Sequence, residues 1–211
     1  MLDISLLEKL KKKSEEFFRL SHHDKFHTER VYNLAMRIAK IEKADLDVVM
    51  AAALLHDIAR AMEDEGKIAD HAMEGAKMAK KILEEVGFPK GKIPKVIYCI
   101  KVHRFRKGVE AKSPEARILQ DADRLDIIGA IGIARVFTRG GWGNKPIHDP
   151  AIPPKEEYDG KSLTSVNHMH EKILKVKDTI NTDTAKRIAE QRYKFTKQFL
   201  ERLMNEWKAQ I

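Results

Sequence analysis

Apolar residues recur three and four positions apart along nearly all of the 211 residues, and stretches of strict alternation are essentially missing. A chain patterned this way buries one stripe of each helix, so the sequence predicts an all-α protein folded as a single-domain helical bundle. Caps and breakers set the expected elements. They are a helix over about 4–20, one over 25–41 with Asp24 as N-cap, and one from Asp45 to about 62 followed by a polar loop at 63–66. A helix over about 69–86 should stop at Gly87 with Pro89 beyond, and another should cover about 93–104. Ser113 and Pro114 open a helix that carries residues 120–126 and runs to the glycines at 140–143, with Gly129 and Gly132 allowing close packing. Prolines at 146, 150, 153 and 154 make a long irregular connection, and helices over about 163–180 and 182–209 close the chain.

His56 and Asp57 stand at the end of the apolar run from Met50 to Leu55, where an ordinary core helix would place leucine or alanine. Buried imidazole and carboxylate groups are costly to desolvate unless a cation or a partner satisfies them. His27 near the start of the second helix and Asp123 in a later one complete a set of two imidazoles and two carboxylates. Four such groups could form a metal-free hydrogen-bond network, but without a cation that is an expensive core. Mixed nitrogen and oxygen donors disfavour a cysteine-type structural zinc site and suit a divalent ion with positions left open: manganese, iron, nickel, zinc or magnesium. The lone Cys99 reads as a small core residue. His148, His168 and His170 read as structural or surface residues, with His168 an outside candidate for a substrate pocket.

Lys and Arg number 40 against 32 Asp and Glu, a net charge of +8 that suits nucleic acid or a small substrate with several phosphates. No aromatic-basic alternation supports nucleic acid as the partner, so a small phosphorylated molecule is expected. No uninterrupted apolar segment nears the roughly 20 residues needed to cross a bilayer. The first residues carry no secretion signal, so cytoplasm is the expected location. The sequence leaves oligomeric state open.

The order His27, then His56-Asp57, then Asp123 is similar to that of the HD-domain metal-dependent phosphohydrolase superfamily. The flanks carry the likeness further: His23, Asp24, His27, Arg30 and Val31; Ala52 to Ile58; Gln120 to Asp126; and Ile128 to Arg135. Together with the 140–150 loop they resemble one branch of small bacterial and archaeal HD hydrolases over nearly the whole chain. The resemblance implies an HD-type bundle with a metal-site core over about 22–135 and C-terminal helices over about 162–209. It also implies hydrolysis of a phosphate ester or anhydride in a nucleotide or similar metabolite by a metal-activated water. His71 and His103 stand where dinuclear HD proteins place ligands of a second metal, with Asp57 as the bridge. The expectation is one firmly held ion and a second bound conditionally.

No protein nucleophile is then needed, and the basic residues nearest the ligands, Lys25, Arg30, Arg60, Arg104 and Arg124, with His23 at the mouth, are candidates to meet substrate phosphate. In many HD proteins an acidic residue follows the His-Asp pair by three positions, but here that place holds Arg60. The general acid is therefore open, with Asp126, Asp64 or a metal-bound water as substitutes. Two other functions compete. One is an oxygenase with a dinuclear iron centre. The other is a basic nucleic-acid-binding module with a structural metal.

Overall fold

Eight consecutive buried residues, Val48 to Leu55, make the helix around which the first half of the chain is built. The computed structural model describes residues 4–17, 25–104 and 110–211, apart from the side chain of Lys25. Helix α1 spans Ile4–Glu15, α2 Lys25–Glu42, α3 Leu46–Leu55, α4 Arg60–Asp64, α5 His71–Glu85, α6 Ile93–Val102 and α7 Pro114–Leu125. A helix that is apolar on all sides must be surrounded, and α3 packs against α1, α2 and α6. Asp45 starts α3, its carboxylate accepting the backbone N–H groups of Asp47 and Val48. On α2, Val31, Ala35, Ile38 and Ala39 share a buried face with His27, so the stripe that docks this helix also carries the histidine inward.

Helix α5 begins where the Asp70 side chain accepts from Ala72 and Met73. It ends in a Schellman turn: Gly87 takes φ +78°, and Phe88 N–H donates to the Leu83 carbonyl at 2.9 Å. The chain divides into two compact units, Met1–Asp123 and Arg124–Ile211. In the second, α8 (Gly129–Trp142) and the 3-10 helix Ile173–Thr179 both pack on the long α10 (Asp183–Trp207), and α9 (Ser165–Glu171) packs on α8. A Cβ at Gly132 would lie 2.3 Å from the Ile127 carbonyl, so only glycine lets the first turn of α8 close on that segment.

Among the described residues there is no strand, as the spacing predicts, and no helix is long and apolar enough to cross a membrane. Several boundaries differ from expectation. The helix expected from Asp45 to Met62 ends at Leu55, because the His56 ring bonds back to the Ala53 carbonyl and Arg60 N–H closes a turn onto the Asp57 carbonyl at 2.9 Å. Glu63 and Asp64, expected in a loop, finish α4. Periodicity gave no warning, since a helix buried on every side has no apolar phase to lose. The helix expected to run to 140 is cut at Gly129, which adopts φ +78° and donates its N–H to Thr196 Oγ1 at 2.8 Å. The helix expected over 163–180 divides at Lys172 into α9 and the 3-10 segment. Helix α1 ends at Glu15, and Asp24, the expected cap of α2, lies outside the described residues.

Candidate metal centre

Four imidazoles line up in the first unit, each delivered by a different element: His27 from the first turn of α2, His56 from the end of α3, His103 from the end of α6 and His71 from the start of α5. Neighbouring ring centroids lie 5.5, 5.3 and 5.3 Å apart along that order. Asp57 sits among them, and its two oxygens divide the row. Oδ2 is 3.7 Å from both His27 Nε2 and His56 Nε2, whereas Oδ1 is 3.2 Å from His71 Nε2 and 3.5 Å from His103 Nε2. The four rings and Asp57 are all buried. Asp123 closes the first pair with Oδ1 at 3.5 Å from His27 Nε2, and at 24 % side-chain exposure it is the part of the cluster open to solvent. Burial pushes the Asp123 carboxyl up, but the nearby His27 and His56 rings outweigh it and hold it below the usual carboxylate range.

The hydrogen bonds around the cluster fix where the ring protons sit. A carbonyl only accepts, so His56 Nδ1–H donates to Ala53 at 2.9 Å and His103 Nδ1–H donates to Ile100 at 2.6 Å. His71 Nδ1–H donates to Glu63 Oε2 at 2.8 Å. In its neutral form each of the three rings therefore turns a bare Nε2 toward Asp57. Among the described residues His56 Nε2 is buried without a hydrogen-bond partner, and the Nε2 atoms of His71 and His103 face each other at 3.3 Å. A buried acceptor left unmet costs about 1–3 kcal/mol, and two nitrogens this close need a positive charge, a proton or a metal ion, between them. Burial pushes the His71 ring down, yet hydrogen bonding and charge from Asp57 and Glu63 hold its pKa above the ordinary histidine value, so the spot favours a cation. A divalent ion fits the residues present: His27, His56 and Asp57 form one group that could hold it, and Asp57, His71 and His103 form another.

The HD domain family matches residues 26–128, a span that contains every one of these side chains. The chain is 37% identical to YpgQ of Bacillus subtilis over 187 residues, 87% of this chain and 83% of that protein. A solved HD-superfamily hydrolase from Bacillus thuringiensis superposes with a TM-score of 0.78 at 35% identity, covering 97% of this chain and 98% of that one. The chain belongs to the HD superfamily of hydrolases. A crystal structure of YpgQ in complex with ADP also matches, with a TM-score of 0.74 at 30% identity over 95% of this chain and 97% of that one. HD domains bind divalent metals, and the donor set of this HD protein is of that kind.

The other expected site residues of this HD protein are placed as follows. Arg30 is half-buried on α2, one turn beyond His27. Arg60 opens α4, where it grips Asp64 with Nε and Nη2 at 3.2 and 3.0 Å; burial lowers its pKa, but Asp64, Asp57 and Glu63 outweigh that and raise it. Arg104 is committed to Glu63 and Asp70. Arg124 is buried, with its guanidinium donating to the Thr179 carbonyl, and Asp126 is buried with Oδ2 2.6 Å from Arg135 Nη1, both within the second unit. His23 and the side chain of Lys25 lie outside what the structure describes. Sequence reasoning missed Glu63, which accepts the backbone N–H of His71 at 2.7 Å as well as its ring proton. A signal was present: Asp70 precedes His71 and Arg104 follows His103, so opposite charges flank both of the second pair of histidines.

Proposed function

We propose that this HD protein is a metal-dependent phosphohydrolase that cleaves a phosphate bond of a nucleotide or related phosphorylated small molecule through a metal-activated water. The observation that carries the reading is the division of Asp57, whose two oxygens each face a pair of inward-turned imidazoles. His27, His56, Asp57 and Asp123 would hold one divalent ion, and Asp57, His71 and His103 a second. Bound there, such an ion supplies a water whose pKa is lowered from nearly 16 toward about 7 and positive charge for the phosphoryl oxygens.

The chain's own groups do the rest. Asp123, on the solvent side, marks where substrate arrives. Arg30 and Arg60 supply positive charge for its phosphates, with Lys25 and His23 as further candidates. Arg60 is pre-oriented for that task by Asp64. Asp126, with Oδ2 2.6 Å from Arg135 Nη1, and Asp64 are the candidates to move a proton in the scheme. The ADP bound by YpgQ supports a nucleotide as the substrate class. The units Met1–Asp123 and Arg124–Ile211 work as one hydrolase domain in this reading; a single calorimetric unfolding transition is expected, and two would overturn that point.

The test is a phosphate and pyrophosphate release screen over nucleotides with manganese, iron, nickel, zinc and magnesium in turn. Release that depends on the ion and is lost in Asp57→Asn is expected; no release from any nucleotide with any ion would overturn the reading. The second pair of imidazoles also favours a second reading, a dinuclear-iron oxygenase. Turnover that requires oxygen and iron, with no phosphate released, would select it.

A further inference from the structure

Behind His71 lies a charged clamp that the hydrolytic scheme leaves unused. Glu63, at the end of α4, takes four donors: the backbone N–H of His71 at 2.7 Å, its ring Nδ1–H at 2.8 Å, and Arg104 Nη1 and Nη2 at 3.0 and 2.9 Å. Arg104 also binds Asp70 Oδ1 at 3.1 Å, and Asp70 is the side chain that caps α5 and so fixes the backbone at which His71 begins. Three segments are thereby tied at one point: α4, the start of α5 and the residue after His103. The side chains of Arg104 and Glu63 are only 11 % and 17 % exposed, so solvent screens this network weakly.

We propose that Glu63, gripped by Arg104, is a positioning residue that builds the metal subsite of Asp57 Oδ1, His71 Nε2 and His103 Nε2, and thereby sets how tightly a second divalent ion is held. The inference rests on the metal-dependent reading above and deepens it. Holding a His71 proton on Nδ1 leaves Nε2 as the atom offered to a metal, and a carboxylate behind an imidazole makes it a stronger donor to that metal. The backbone bond to His71 fixes where the ring starts, and the ring bond fixes its rotation. On the opposite side of Asp57, the His56 ring is backed by the neutral Ala53 carbonyl and not by a carboxylate, so the clamp acts on the pair that holds His71. A glutamine at 63 could still accept one proton, but its amide N–H₂ would face the Arg104 donors and the paired grip would be lost.

The test strips the full-length protein with chelator and titrates it with Mn²⁺, reading stoichiometry by elemental analysis and binding steps by calorimetry, with the spin-coupled signal of paired manganese as the third readout. The wild type is expected to bind two ions per chain. In Glu63→Gln the first step should be unchanged, while the second weakens by about 10–100-fold, the usual range for loss of a partner behind a metal ligand, and the spin-coupled signal fades. Arg104→Gln, which keeps Glu63 but loosens it, should weaken the second step in the same direction, and it carries the test if Glu63→Gln does not fold. Two ions bound with wild-type affinity by folded Glu63→Gln, or by Arg104→Gln where that variant stands in, would overturn the proposal. A wild type that binds one ion would overturn it too while leaving the hydrolase reading intact. A wild type that binds none would remove both.

Discussion

Each compact unit buries a cluster of histidine and carboxylate side chains, and the two clusters differ in where their protons point. In the second unit, the Ser162 hydroxyl donates to Glu171 Oε2 at 2.5 Å and lies 3.2 Å from His168 Nδ1, while Lys155 N–H donates to Glu171 Oε1 at 3.0 Å. Both oxygens of the buried Glu171 are thus met by donors of the chain itself. Burial, with Lys172 and Lys145 nearby, pushes the His168 ring down to about 4, so it sits neutral beside an edge of Tyr158. Around Asp57 the Nδ1–H groups of His56, His71 and His103 all point away, toward Ala53, Glu63 and Ile100, and each ring turns its Nε2 inward. A buried cluster whose donors and acceptors balance is structural, and one that turns several imidazole Nε2 atoms onto a shared carboxylate is suited to a cation.

The comparison can be broken most decisively at Asp57. In Asp57→Asn, hydrolysis should fall by more than about 1,000-fold, the scale lost when one preorganised charge-stabilising group is removed. Mn²⁺ at a hundredfold excess over its dissociation constant should stabilise the wild type by about 2.7 kcal/mol, or roughly 5–10 °C in melting temperature. That shift should vanish in the variant. A shift that persists would mean that the two clusters do not differ as described.

The second cluster gives the next largest effect, through pH. His168 has a folded pKa of about 4 against an ordinary histidine value of 6.5, so the unfolded chain binds its proton first. Its contribution is fully present above about pH 6.5 and is lost as pH falls toward 4, by at most about 3 kcal/mol. Urea unfolding of metal-free protein at pH 7 and pH 4.5 should show a smaller acid loss in His168→Gln than in the wild type. Equal losses would mean that His168 is not held neutral. Glu171→Ala strands the Ser162 hydroxyl and the Lys155 N–H, and should cost about 1–3 kcal/mol while leaving manganese stoichiometry untouched. The smallest effect is expected outside both clusters. Asp45→Ala removes the α3 cap for about 1 kcal/mol by thermal melting, with no change in metal binding.

Much of this was legible in the sequence, for identifiable reasons. Helical spacing marked α2 and α5 because each has one buried face, and Asp45, Asp70 and Gly87 marked ends because their roles are local. His27, His56, Asp57 and Asp123 stood out because their polarity conflicts with their apolar settings. The turn at His56 was hidden within a continuous apolar run, and the cut at Gly129 depends on a bond to Thr196, 67 residues away. Glu63 read as an ordinary loop acid, since nothing local brings it to Arg104 across 41 positions. Arg124 illustrates the limit of nearness in sequence as a guide, because its guanidinium goes to the Thr179 carbonyl, 55 residues on.

The most direct measurement is an anomalous difference map from crystals soaked in Mn²⁺. It should show a peak bounded by His27, His56 and Asp57, with Asp123 at its solvent side. A clean map in which those four side chains enclose no anomalous scatterer would contradict the reading of this cluster as a metal centre.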